Sequence, residues 1–155
     1  LCRNIIILDI ILIAATTVDG YIARNNFEVT DWSQDLSLFK KQTMGYPIIM
    51  GSHTFKTLPK ELHGRKPIIV HRNDDPKKII ENIRSSKCFV IGGGIVNSRF
   101  VDFLTHIYVT PHPHIFGKGV SLFSNQIGEL KLKFIKIVEH DIANGIIQYQ
   151  YQIIR

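Results

Sequence analysis

The sequence predicts an α/β fold built on a mostly parallel sheet. Three observations carry this reading. Apolar strand-like runs alternate with helix-like segments over most of the chain. The runs at 47–50, 66–70 and 87–91 are almost continuously apolar, as strands covered on both faces must be. The chain then closes with two long strand-like segments around "DIANG", a hairpin that adds antiparallel strands at one edge.

The elements follow in order. Residues 10–16 form a first core strand. Residues 19–32 are polar and irregular, with "NN" marking a turn. A helix spans 35–43, and a short strand at 47–50 is ended by Gly51. A short helix at 53–58 stops before Pro59. A strand at 66–71 carries Pro67 near its start. A helix follows at 76–84, where Pro76 suits the first helical position and Asp75 the N-cap. Then come a strand at 87–91, a helix at 94–104 and a strand at 106–110. The hairpin strands are 130–139 and 146–154.

A chain of 155 residues suits one domain with a real core. The 19 Lys+Arg against 13 Asp+Glu give a formal charge of +6, which favours anionic partners. The basic residues are dispersed, so no nucleic-acid stripe is evident. "IIILDIILIAA" after Arg3 imitates a signal peptide, but Asp9 interrupts it and it is too short to span a bilayer. It is read as leading into the first strand, which fits a cytoplasmic protein without a membrane anchor. Cys2 and Cys88 match no zinc or redox spacing, and Cys88 in "KCFVIGGG" reads as a buried, inert thiol. His106, His112 and His114 have no Cys or carboxylate to complete a ligand set, so no metal is expected.

Ligands of such sheets gather beyond the carboxyl ends of the strands. Four segments lie there: the chain after Ala15, the run 51–54, the pair His71 and Arg72, and the glycines 92–94. "VIGGGIV" joins a strand to a helix start, where bare backbone and N–H donors can receive phosphate. Its glycines are consecutive, so it is not the spaced dinucleotide fingerprint, and an ordinary tight turn is an equal reading. "MGSHTF" repeats the geometry; Ser52 and Thr54 can bind phosphate oxygens, or Ser52 can simply cap the helix. In "VHRN" the arginine suits a 2′-phosphate, though such a pair is usually solvated. Arg65 by itself is an ordinary surface arginine. In "DLSLFKK", Asp35 lies one turn from Leu38 and Phe39 on an apolar face. Two readings are open there: an acid starting a helix, or a buried acid that does chemistry.

In sequence order these blocks resemble the dihydrofolate reductase family over nearly the whole chain. "LIAATTVDGYIA" is similar to its first strand and mobile loop. "DLSLFKKQTMGYPIIMGSHTFKTLP" is similar to its acid-bearing helix and cofactor-binding helix start. "LHGRKPIIV", "VIGGGIV" and "IYVT" complete the set. The resemblance implies an eight-stranded, mostly parallel sheet and NADPH-dependent reduction of dihydrofolate to tetrahydrofolate by hydride transfer. Asp35 would be the acid that orients the ring and promotes its protonation, and Thr110 would hydrogen-bond it. Ile13, Ala14, Ala15, Leu36, Phe39, Leu58 and Leu62 would line the substrate pocket. Arg65 would pair with the carboxylate of the folate tail. Gly92, Gly93, Gly94, His53 and Thr54 would hold the cofactor pyrophosphate, with Gly51 and Ser52 beside them. His71 and Arg72 would hold its 2′-phosphate. Ala15, Ile22, Val70, Ile91, Ile95 and Val96 would complete the cofactor site. The peptide between Gly92 and Gly93 would be cis. The active form would be a monomer or a homodimer.

The chain also departs from that pattern. Ser52 stands where a basic residue is usual, Asn97 where a tyrosine is usual, and Trp32 lies unusually close to the acid. "VDGYIA" and "HPHIFGKGVSLF" look more like the riboflavin-pathway reductases of the same fold, which act on a phosphoribosylamino-pyrimidine. Two alternatives to folate reduction therefore stand: that pyrimidine reduction, and a non-catalytic nucleic-acid binder. Asp35 together with Arg65 favours the folate reading.

Overall fold

The computed structural model describes residues 7–58 and 63–155. A seven-stranded sheet holds β1 (Asp9–Thr17), β3 (Pro47–Gly51), β4 (Lys66–Val70), β5 (Lys87–Val90), β6 (His106–His112), β8 (Lys131–Asp141) and β9 (Ile146–Ile154). Its order is β4-β3-β5-β1-β6-β9-β8. The first five of these pair in parallel, and β9 and β8 add the antiparallel edge. The expected eighth strand is not part of this sheet. Tyr21–Ala23 (β2) and Val120–Ser121 (β7) pair separately as a short antiparallel ribbon. Segments this short carry too little pattern to be read as strands.

Central β1 shows why the apolar runs were legible. Ile10 and Leu12 point into one cluster with Ile49, Val90 and Phe100. Ile11 and Ile13 point into the opposite cluster with Ile48, Met50 and Phe89. A strand with both faces buried needs apolar residues at consecutive positions, not alternate ones. The first cluster is covered by α3 (Pro76–Glu81) and α4 (Gly94–Arg99), through Ile79, Ile80, Val96 and Phe100. The second is covered by Phe39 of α1 (Leu36–Thr43) and by Leu58, just after α2 (Ser52–Thr57).

The helices expected over 76–84 and 94–104 are shorter than their sequence patterns. The run expected as one helix over 94–104 is α4 followed by a 3₁₀ turn at Val101–Phe103. The Phe100 N–H bonds the Val96 carbonyl and the Phe103 N–H the Phe100 carbonyl, so the ladder tightens there. α3 ends at Glu81, and its cap is as expected: Asp75 Oδ1 accepts from the Lys77 N–H at 3.0 Å, with Pro76 following. β6 runs on to His112, because its ladder with β1 continues through Thr17 opposite His112.

Two polar arrangements fix α1 on the sheet. Gln42 on the helix exchanges two amide hydrogen bonds with buried Gln148 of β9, at 2.7 and 2.8 Å, and Gln150 donates to Gln148 at 2.9 Å. At the helix C-terminus Arg65 is only 8% exposed. Its guanidinium donates to the Lys40 carbonyl, the His63 carbonyl (2.7 Å) and Thr43 Oγ1 (3.2 Å). The cation therefore meets the negative end of the helix dipole. At the other end of the chain, Gly145 at φ +73° turns the hairpin, with Asp141 accepting from the Asn144 N–H.

Replacing Arg65 with leucine should lower unfolding free energy by about 2–4 kcal/mol, because charge-assisted bonds to the Lys40 and His63 carbonyls and to Thr43 Oγ1 are lost. Chemical denaturation of both proteins checks this. Cys88 is buried in β5, and burial pushes its thiol from the ordinary value near 9.0 up to about 12. Peptide mapping after thiol labelling at mildly alkaline pH should find Cys88 unmodified in the native protein and modified in denaturant. The unfolded thiol ionises first, so stability should fall as pH rises between these two values. A Cys88→Ala variant should lack that part of the slope.

Candidate active site

The parallel strands end along one edge of the sheet, and a cavity of about 610 Å³ lies against that edge. β1 contributes Ile13, Ala14 and Ala15 to its wall, and the ribbon contributes Ile22. α1 contributes Asp35, Leu36 and Phe39. The start of α2 gives Gly51, Ser52, His53 and Thr54, and its end gives Leu58. Val70 and Arg72 come from the end of β4; Ile91, Gly93, Gly94, Ile95 and Val96 come from the glycine turn and α4. Residues scattered from 13 to 96 in the sequence thus share one wall. Gly92 and His71 lie next to it in sequence but are not on it. Leu62 is outside the described residues.

The glycine turn is built for close approach. The Gly92–Gly93 peptide is cis. The Gly51 N–H bonds the Gly92 carbonyl at 2.9 Å, which joins the two strand ends. A Cβ on either Gly92 or Gly93 would lie 3.8 Å from Thr54 Oγ1, so bare backbone and a hydroxyl face the same space. A Cβ on Gly94 would collide with Ser124 and the Ser121 carbonyl, so this glycine is needed for packing as well. Such a set, with the start of α4, offers N–H donors and a hydroxyl to a phosphate.

Arg72 is an exposed cation on the wall. Beside it stands Arg99, which the sequence reading missed. Arg99 donates to the carbonyls of His71 (3.1 Å) and Asp74 and so braces the turn that carries Arg72. Its signal was its place in the last turn of α4, one element past the glycines. Asn97 is also on the wall; its Nδ2 donates to the Leu122 carbonyl at 2.9 Å.

Asp35 occupies the far end of the cavity and is 7% exposed. It sits at the N-cap of α1, yet its carboxylate makes no capping bond. Oδ1 accepts from Ser33 Oγ at 2.7 Å, and His112 Nε2 lies 3.8 Å from it. Among the described residues Oδ2 takes no hydrogen bond. The expected bond from Thr110 is not made: Thr110 Oγ1 is buried and without a hydrogen-bond partner. The hydroxyl two residues before the acid reaches it first. The contact of Ser33 with the acid depends on the turn before α1.

Arg65 does not reach the cavity wall. Its guanidinium donates to the Lys40 and His63 carbonyls and to Thr43 Oγ1. The loop before α1 is clamped over the site. Trp32 packs edge-on against His112 and Phe116 at 5.3 Å each, and its Nε1–H donates to Glu28. Arg24 pairs with Glu28 at 3.1 Å and lies 4.3 Å over the Phe116 ring. Asp19 joins the same loops. Its carboxylate accepts from Thr17 Oγ1 and from the Phe116 and Gly117 N–H groups, and these bonds, the Thr17 one foremost, lower its pKa.

No helix among the described residues is long and apolar enough to cross a membrane. Comparison with known proteins bears on the whole arrangement. The family model for dihydrofolate reductase matches residues 9–152. Dihydrofolate reductase of Bacillus subtilis is 29% identical over 116 residues, covering 67% of this chain and 69% of that protein. Dihydrofolate reductase type 8 of Escherichia coli is 30% identical over 121 residues, covering 63% and 70%. Among solved structures, dihydrofolate reductase from Enterococcus faecalis, complexed with NADP(H) and RAB-propyl, superposes with a TM-score of 0.70 at 18% identity, over 94% of each chain. A riboflavin biosynthesis protein from Shewanella sp. PV-4 superposes with a TM-score of 0.61 at 17% identity, over 95% of this chain and 99% of that one. These two structures share the fold, and the family match spans every element that builds the cavity, so the chain belongs to the dihydrofolate reductase family.

Proposed function

We propose that the protein reduces dihydrofolate to tetrahydrofolate with NADPH, as a cytoplasmic enzyme of a single domain. One observation carries this reading: the carboxylate of Asp35, buried at one end of a cavity whose other end is lined by a glycine turn and a cation, while the other carboxylate on the wall, Glu28, is paired with Arg24. An acid placed there can meet the ring nitrogens of a pteridine, and the opposite end suits a phosphorylated cofactor.

The residues fit such a cofactor. Thr54 Oγ1, the Gly93 and Gly94 backbone and the start of α2 would take its pyrophosphate, and Arg72 its 2′-phosphate. When bound, the nicotinamide supplies the hydride. The protein supplies position and proton handling. Ser33 occupies Oδ1 of Asp35, which leaves Oδ2 to receive the ring N–H groups. Phe39, Leu36 and Ile13 provide apolar walls that hold the ring flat and keep water from the reacting carbon. Asp35 then promotes proton delivery to the nitrogen beside that carbon, directly or through water.

A second reading is favoured by the position of Arg65, which is not among the described residues that line the cavity. A substrate without a glutamate tail needs no such arginine, which suits a phosphoribosylamino-pyrimidine. Following NADPH oxidation with each substrate separates the two. Turnover of the pyrimidine and not of dihydrofolate would replace the first reading with the second.

Asp35→Asn keeps the shape of the acid and removes its ionisable proton. It should lower kcat at neutral pH by roughly 10²–10⁴-fold while the melting temperature changes little. Activity equal to the parent's across the pH range would remove Asp35 from the chemistry. Arg72→Ala should weaken NADPH binding by roughly tenfold to a hundredfold and leave NADH binding unchanged, because one charge-assisted contact is lost. Equal losses for both cofactors, measured by fluorescence titration, would show that Arg72 does not read the 2′-phosphate.

A further inference from the structure

His112 closes β6 and is fully buried. Neither the metal nor the folate reading uses it. Its Nδ1 lies 2.8 Å from the Thr110 carbonyl, which can only accept, so Nδ1 carries the hydrogen. Its Nε2 accepts from the Gln34 backbone N–H at 3.0 Å, so that nitrogen presents its lone pair. Both ring nitrogens are satisfied by one tautomer of the neutral imidazole. The ring therefore ties the end of β6 to the residue just before Asp35.

That tie bears on the acid. An aspartate at a helix N-cap ordinarily turns its carboxylate onto the helix's own N–H groups. Asp35 does not. The Gln34 amide is held by His112, Ser33 donates to Oδ1, and the imidazole itself stands 3.8 Å from that oxygen. Trp32 packs edge-on against the imidazole, ring centroids 5.3 Å apart. Thr110, expected to hold the acid by its side chain, contributes its carbonyl to His112 instead.

We propose that His112 is a positioning residue for Asp35: its neutral imidazole, by accepting the Gln34 amide hydrogen, sets the start of α1 so that the carboxylate faces the cavity. This rests on the reading that Asp35 handles the substrate proton. The position demands a side chain that donates to one carbonyl and accepts from one amide across a ring's width. Glutamine can supply an acceptor near the place of Nε2; phenylalanine fills the slot and supplies none.

The test uses His112→Gln, His112→Phe and His112→Asn, the last being too short to reach Gln34 and serving if His112→Phe fails to fold. In the parent, ¹⁵N NMR of the imidazole should show hydrogen on Nδ1. In His112→Phe or His112→Asn the Gln34 amide should exchange faster and the Asp35 carboxyl ¹³C signal should move. kcat for dihydrofolate should fall at least about tenfold, with KM for NADPH unchanged. His112→Gln should restore the exchange rate, the carboxyl signal and most of kcat. A hydrogen on Nε2 in the parent would overturn the proposal. So would an unchanged carboxyl signal in the variants lacking the acceptor, or a kcat loss that His112→Gln does not recover. If the parent turns over no dihydrofolate, the functional reading fails, and the tautomer, exchange and carboxyl measurements still decide the positioning role.

Discussion

Backbone pairing of β1 between β5 and β6 is the constraint on which the rest of the structure depends. Both neighbours run parallel to it, so each must be reached by a crossover, and the crossovers cover the two faces. Burial on both sides demands the unbroken run Ile10 to Ile13. Parallel pairing also brings the strand ends to a single edge, so Ala15 sits opposite Thr110 and the glycine turn lies beside the end of β3. The cavity follows from this arrangement, because the loops leaving one edge diverge to opposite faces of the sheet.

The two ends of the cavity are made by different means. The glycine end is local: a turn, a hydroxyl and two helix starts that follow their strands directly, with little freedom in how they are placed. The acid end is assembled from distant pieces. Asp35 stands before α1, Ser33 and Trp32 precede it, and His112 comes from β6 on the other side of β1. Its geometry depends on polar contacts such as Ser33 with Asp35 and Gln34 with His112. Such groups are costly to bury singly and specific when paired.

Arg65 illustrates how burial changes a residue's part. As a sequence feature it is an ordinary arginine before a strand. In the structure its guanidinium sits at the C-terminal end of α1, where it donates to the Lys40 carbonyl and to Thr43 Oγ1. The same helix is held along its side by the Gln42–Gln148 exchange. α1 is therefore anchored at its start, side and end by polar contacts, although little of it is deeply buried. An acid mounted on so firmly held a helix has a defined direction.

Much of the fold was legible because periodicity reports burial directly. The core strands, the Asp75–Pro76 helix start and the closing hairpin lie where the pattern puts them. The glycine turn and the walls from Ile13 to Ala15 were legible too, since strand ends and turns are local in sequence. The β2–β7 ribbon was not, because two or three residues carry no period. Nor was the break after Arg99, where tertiary packing of Phe100 shortens a helix that propensity alone would extend. By itself the sequence determined the doubly covered sheet, its ligand edge and an acid on an apolar helix face. Only the tertiary structure decided the acid's surroundings: Ser33 donates to it in place of Thr110, and His112 accepts from the Gln34 amide beside it, a bond between residues 78 apart that depends on strand register, which no local pattern encodes.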